Sequence, residues 1–136
     1  MVAGGAVIEQ NHTGKILLLQ RNSNLDWHPS EWEILYGRID QFEDVTTGLK
    51  REVKEEAGLD DIELVDILTV WHIFRGSLKI AENELIGITY HCRTKKENPI
   101  ISQEHQTYRW VTPEDALKLV SVEGIKRDIM KFIERR

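Results

Sequence analysis

The sequence is most informative first in what it lacks. Cys92 is the only cysteine, so no intrachain disulfide can form, and a small buried residue in a reducing compartment is expected. Only three prolines occur, and no Gly/Ser/Pro-rich linker, repeat or low-complexity segment divides the 136 residues. One domain over 1–136 is expected, long enough to bury a core without staples. No apolar run approaches the roughly 20 residues that span a bilayer as a helix. The first ten residues carry neither a basic region nor a long apolar run, so no secretory leader is expected and a cytoplasmic location follows by default. Positive charge is also scarce: the formal net charge is -5. That argues against a general nucleic-acid binder, which needs a basic surface. It suits a chain that gathers carboxylates around a divalent cation.

What is present reads as a mixture of strands and helices. Val2 to Ile8 and Ile16 to Leu19 flank a polar turn at Asn11 to Gly14, the pattern of a hairpin. Residues 22 to 31 are loop-like, and Trp32 to Leu35 forms a short strand leading into Gly37. Val45, Leu49, Val53 and Ala57 recur every four residues, one apolar stripe of a helix. Asp44 or Thr46 caps its start and Gly58 stops it. Ile62 to Phe74 reads as one long strand or two broken ones; Leu85 to Cys92 and Tyr108 to Val111 are further strands. Thr112, Pro113 and Glu114 supply a cap, a first-turn proline and a first-turn acid for a second helix. A last helix over 124–134 turns Ile125, Ile129, Phe132 and Ile133 inward. The order does not repeat β-α-β, so the expected class is α+β, a mixed central β-sheet sandwiched between helices.

The first helix carries the chemistry. Glu52, Glu55 and Glu56 are three and four positions apart and share a face. Like charges at that spacing repel, and a cation among them relieves the repulsion. A hard ion with oxygen ligands, magnesium, suits such a cluster; no Cys/His spacing suits zinc. The competing reading is a solvated acidic face paired with Lys50, Arg51 and Lys54.

The wider spacing decides between them. Gly37 is followed after five residues by Glu43, after seven more by Arg51-Glu52-Val53, then Glu55-Glu56 and Gly58-Leu59. This resembles the complete box of the Nudix hydrolase family (MutT-like), and a chance match is on the order of 10⁻⁷ at average residue frequencies. The resemblance implies the Nudix fold, a loop-helix-loop metal site, and residue roles at matching positions. Glu55 and Glu56 match metal ligands. Glu52 matches a metal ligand or the residue that orients the attacking water. Arg51 matches the arginine that orients a box glutamate, and Glu43 the acid that supports the helix. Gly37 matches the glycine beside the metal, which places the backbone carbonyl of Tyr36 as a further ligand. Arg21, at the end of the second strand, lies where many members carry a basic residue near the substrate phosphates. Arg38, next to Gly37, is a second such candidate. Glu104 lies where many members place a late glutamate, a metal ligand or the general base.

One dipeptide departs from the family pattern. Leu35-Tyr36 stands where Pro-Gly usually precedes the box glycine, and tyrosine adopts positive φ far less readily than glycine. The loop geometry is expected to differ, with the Tyr36 ring over the substrate entrance. Gly48, mid-helix, costs about 1 kcal/mol against alanine unless close packing requires it.

The resemblance implies hydrolysis of a pyrophosphate linkage in a nucleoside diphosphate joined to another moiety: a nucleoside triphosphate, ADP-ribose or a nucleotide sugar. The implied cofactor is Mg2+, with Mn2+ as a substitute; the implied partner is a small nucleotide or diphosphate, not nucleic acid and not a membrane. Glu52 and Glu104 both stand as general-base candidates. Trp27, Trp32, Tyr36, Trp71 and Phe74 are candidate stacking surfaces, and His28, His72, His91 and His105 candidate substrate contacts. A homodimer is a family-level expectation. Two other classes remain: a prenyl-diphosphate isomerase, which would need Cys92 as its catalytic thiol, and a non-catalytic nucleotide-binding domain.

Overall fold

The computed structural model describes residues 1–136. Its elements in order are β1 (Val2–Gln10), β2 (Ile16–Arg21), β3 (Trp32–Glu33), β4 (Leu35–Ile39), α1 (Val45–Ala57), β5 (Glu63–Phe74), β6 (Glu84–Thr94), β7 (His105–Val111), α2 (Pro113–Leu119) and α3 (Glu123–Arg135). All seven strands join one mixed sheet, with the order β3-β2-β1-β6-β5 and with β4 on β1 and β7 on β2. β1 and β6 run parallel; the other pairs are antiparallel.

Alternation along the central strands builds the two layers. Ala6, Ile8, Leu17 and Leu19 face α1 and join a core with Leu49, Val53 and Ala57. Their neighbours Val7, Ile16 and Leu18 point the other way and meet Ala116, Ile125, Ile129 and Phe132 of α2 and α3. A strand buried on both faces needs such a continuous apolar run, which Ile16 to Leu19 supplies. No helix of the structure is long and apolar enough to cross a membrane.

Three local expectations are corrected. The β1-β2 hairpin is closed only at its turn, with the single pair Glu9↔Ile16. Beyond it the strands splay: β4 pairs with β1 from Val2↔Ile39 to Ala6↔Leu35, and β2 turns to β7. The segment from Trp32 forms two strands, and Gly37 lies inside the second instead of after it. Tyr36 therefore has no positive φ; it pairs with Gly5 as ordinary extended backbone. The strand expected from Tyr108 starts three residues earlier, at His105. Between Ile62 and Phe74 a single strand forms, with register shifts between Leu64 and Asp66 and between Ile67 and Thr69.

The helix carrying the box follows its sequence signals. Asp44 occupies the cap position, although its carboxylate accepts from Thr46 Oγ1 and not from the helix backbone. Gly58 ends the helix at φ 66°, a left-handed conformation that favours glycine. Gly48 is a close-packing glycine: a Cβ there would lie 2.7 Å from Glu43 Oε1 and 2.9 Å from Ile39 Cδ1. Its helix cost is offset by the approach of β4 and the Glu43 loop.

Candidate active site

An open cavity of about 800 Å³ lies over the end of α1. Glu52, Glu55, Glu56 and Glu104 line one side of it, with Gly37 and Arg38 beside them. Trp71, Ile73, Leu85, Ile125 and Arg127 line it as well, and Tyr36 contributes a wall between. The cavity is acidic at one pole and aromatic-apolar at the other.

Backbone hydrogen bonds fix the acidic pole. The last carbonyls of a helix lack intrahelical partners. Here Glu56 O accepts from Ser102 N at 3.0 Å and Ala57 O from Ile100 N at 2.8 Å. These bonds tie residues 100–102 to the end of α1 and bring Glu104 to the same cavity as the helix glutamates. Ser102 Oγ also donates to Glu56 Oε2. Across the cavity floor, a Cβ on Gly37 would lie 2.3 Å from Glu52 Cγ. Only glycine lets β4 pass this close to the glutamate.

Arg51 organises the carboxylates from behind. Its Nε donates to Glu43 Oε2 at 2.7 Å, and its Nη2 to Glu43 Oε1 at 2.9 Å and to the Arg38 carbonyl at 3.1 Å. Its Nη1 donates to Glu52 Oε1 at 3.0 Å and Glu55 Oε2 at 3.1 Å. The five N–H groups of the guanidinium are thus all used. Hydrogen bonds from Arg51, and from the Asp40 backbone, lower the Glu43 carboxyl to about 2. In turn they hold the Arg51 guanidinium above its ordinary value. Burial raises Glu52, against the pull of Arg51; its side chain is 14% exposed, while Glu55 is 56% exposed. Neither Arg51 nor Glu43 lines the cavity; the contacts of Arg51 to Glu43, Glu52 and Glu55 lie behind it.

The donor set is all oxygen and fits a hard divalent ion. It is not drawn together as a closed site: no three His, Cys, Asp or Glu side chains converge closely enough to hold a metal. Glu52 and Glu55 each have one oxygen turned to Arg51, and Glu56 is turned to Ser102. Glu104 has a carboxylate with no hydrogen bond or ion pair to the protein, the only one of the four in that condition.

The other sequence candidates separate clearly. Arg21 lines the cavity, but its Nε donates to the Trp27 carbonyl at 2.7 Å and its Nη1 lies 3.4 Å from Glu33 Oε2. Arg38 lines it with no carboxylate partner. Trp27, Trp32, Tyr36, Trp71 and His28 reach the cavity; Phe74, His72, His91 and His105 do not. His105 is buried behind the acidic pole, with Nε2 2.8 Å from Glu33 Oε2 and Nδ1 3.9 Å from Glu56 Oε2. Cys92 is fully buried in β6 among the residues of the α1 core, and burial pushes its thiol up to about 12. It is not a cavity nucleophile, which removes the feature on which the isomerase reading depended.

The Tyr36 ring is not over the entrance. It points inward, and its hydroxyl donates to Asp128 Oδ2 at 2.8 Å. Asp128, on α3, is fully buried. It also accepts from Thr69 Oγ1 at 2.6 Å, from Thr89 Oγ1 at 2.8 Å and from Arg127 Nε and Nη2. Trp71 Nε1 donates to Thr89 Oγ1 at 3.0 Å. Every group around Asp128 donates to its carboxylate. Burial first, and then the charge of Asp128, raise the Tyr36 phenol well above its ordinary value. Sequence reading missed this hub. Its one signal was an aspartate in line with Ile125, Ile129 and Phe132 on the apolar stripe of α3.

Comparison with known proteins agrees with this geometry. A family model described as the NUDIX domain matches residues 1–132. The nucleoside triphosphatase NudI of Salmonella agona is 30% identical over 110 residues, 75% of this chain and 76% of that protein. Among solved structures, the MutT protein of Methanosarcina mazei superposes with a TM-score of 0.78 at 25% identity, covering 99% of this chain and 93% of that one. The E. coli dihydroneopterin triphosphate pyrophosphohydrolase superposes with a TM-score of 0.82 at 21% identity, covering 99% and 96%.

Proposed function

Since the chain belongs to the Nudix family of pyrophosphohydrolases, we propose that it cleaves, with magnesium, the pyrophosphate linkage of a nucleoside triphosphate or a related nucleoside diphosphate derivative. The observation that carries this reading is the joining of Glu52, Glu55, Glu56 and Glu104 in one cavity with an aromatic wall. The related Salmonella protein is a nucleoside triphosphatase, which favours that substrate class.

Glu52, Glu55 and Glu56, with the Tyr36 carbonyl, would hold the ion. Magnesium there supplies positive charge against the diphosphate oxygens and acidity to water. The protein's own part is positioning and proton transfer. Arg51 and Glu43 set the helix glutamates. Arg38, free of carboxylate partners, contacts a phosphate, as does Arg21 where its remaining N–H groups permit. Glu104 is the general base, because its carboxylate alone of the four makes no hydrogen bond or ion pair within the protein and is left to take a proton from water. Water attacks phosphorus, the P–O bond of the anhydride breaks, and a nucleoside monophosphate leaves with the remaining phosphate fragment.

The test is a panel of nucleoside triphosphates, ADP-ribose, nucleotide sugars and dinucleoside polyphosphates, read by phosphate and monophosphate release. Turnover should need magnesium, stop with a chelator, and collapse in Glu55→Gln and Glu56→Gln. Glu104→Gln should lower kcat with little change in magnesium affinity. Activity that survives loss of both helix glutamates would overturn the metal-site assignment.

A further inference from the structure

Arg127 is placed to do more than accompany Asp128. Its Nε and Nη2 both donate to one oxygen, Asp128 Oδ1, at 3.3 and 3.2 Å. That contact uses the side edge of the guanidinium. The end-on fork, formed by Nη1 and the second N–H of Nη2, makes no hydrogen bond within the protein, and Arg127 lines the cavity. The side chain is half-exposed while its anchor is fully buried. Asp128 is itself fixed by Tyr36, Thr69 and Thr89. The fork is therefore preorganised.

Its charge is also answered from behind. The guanidinium is paired with a buried carboxylate, Arg127 Nη2 lying 3.2 Å from Asp128 Oδ1. Such a pair offers a phosphate little electrostatic gain but still offers two parallel N–H donors. The residues around it suit a flat, neutral group: Trp71 is pinned by its indole N–H, Tyr36 meets it edge-on at 5.8 Å, and Ile73, Leu85 and Ile125 complete an apolar wall. The connection to the acidic pole is short. Glu52 abuts Gly37, Gly37 adjoins Tyr36, and the Tyr36 phenol reaches Asp128. A diphosphate held at the glutamates thus has its base directed along this wall.

We infer that Arg127 is a specificity-determining residue that reads the base of the substrate and selects a 6-oxopurine over a 6-aminopurine. This rests on the nucleotide pyrophosphohydrolase reading of the same cavity. A 6-oxopurine presents O6 and N7, two adjacent acceptors that match a guanidinium fork. A 6-aminopurine presents N7 beside an amino donor, which faces an arginine N–H with no acceptor between them.

The test is calorimetric binding of GMP, IMP and AMP to the full chain without metal, beside steady-state kcat/KM for GTP, ITP and ATP with magnesium. GMP and IMP should bind alike and about tenfold or more tighter than AMP. IMP separates recognition of O6 and N7 from recognition of the 2-amino group, which it lacks. Arg127→Met should bring the three ligands to equal affinity in protein that circular dichroism shows to be folded at the assay temperature. Arg127→Lys, which keeps the charge and loses the fork, should also lose the preference. Equal binding of AMP and GMP by the unmodified protein would overturn the inference, as would no binding of any of the three. A preference that survives in Arg127→Met, or IMP behaving like AMP, would overturn it too. Base preference without turnover of any triphosphate or of any other member of the substrate panel would instead sink the hydrolase reading and leave base recognition by Arg127 standing. Turnover without base preference would do the reverse.

Discussion

Replacing Tyr36 by phenylalanine tests the residue just before the box glycine, one of the two at which Pro-Gly was expected. The change removes a hydroxyl that donates to a fully buried carboxylate at 2.8 Å. A hydrogen bond to a charged group is worth about 1.5–3 kcal/mol. Thr69, Thr89 and Arg127 still donate to Asp128, so the lower end applies. With an unfolding entropy of roughly 2.1 cal/mol/K per residue, a loss of about 1.5 kcal/mol lowers Tm by about 5 °C. Thermal unfolding followed by circular dichroism reads this directly. The pH dependence gives a second arm. The folded phenol titrates above its unfolded value, so its contribution is complete below pH ~10 and is lost as pH rises towards the folded value. The stability of the unmodified protein should therefore fall more steeply above pH ~10 than that of Tyr36→Phe. Equal melting temperatures near neutral pH, or parallel alkaline limbs, would refute the inward-pointing ring and its bond to Asp128.

Gly37→Ala would place a methyl group 2.3 Å from Glu52 Cγ. Overpacking of this kind costs about 1–3 kcal/mol, and phosphate release should fall more than stability does because Glu52 is the group displaced; unchanged kcat would contradict the placement. Glu43 is held at about 2 by Arg51, below its unfolded value. The stability difference between the unmodified protein and Glu43→Gln should be full above pH ~4.5 and vanish as pH falls through about 2, read by acid unfolding of both. Cys92, buried with its thiol raised to about 12, should resist a disulfide reagent at pH ~8 in the folded protein and react once in denaturant; rapid native labelling would place it elsewhere.

The helices and the two-sided core were legible because apolar periodicity reports them directly. Leu49, Val53 and Ala57 pack where their four-residue spacing implies, and Leu17 to Leu19 alternate between the two cores as a doubly covered strand must. Strand pairing was less legible, because nothing in the β1-β2 turn announces that β4 takes over the edge of β1 after one pair. The box located the acidic pole of the cavity. The aromatic pole depends on residues from β4, β5, β6 and α3, whose approach no local spacing reveals. Tyr36 illustrates the difference. Read locally, it is a poor substitute for glycine at positive φ. In the fold it is an extended residue whose side chain reaches α3, 92 residues along the chain.

Arg51 changes the weight of the charge argument. Repulsion among Glu52, Glu55 and Glu56 suggested a cation, and in the fold a cation is already there. Arg51 bonds Glu52 and Glu55 on one side and Glu43 on the other. The helix face is thus tolerable without a metal, so repulsion alone does not require one. What Arg51 leaves unanswered is Glu56 and Glu104, which it does not touch, and the second oxygens of Glu52 and Glu55. These groups border one cavity, and Ser102, a neutral hydroxyl, is the only hydrogen-bond donor to the Glu56 carboxylate. The excess of negative charge lies on the cavity side of the helix, facing the space where the proposed divalent ion would bind.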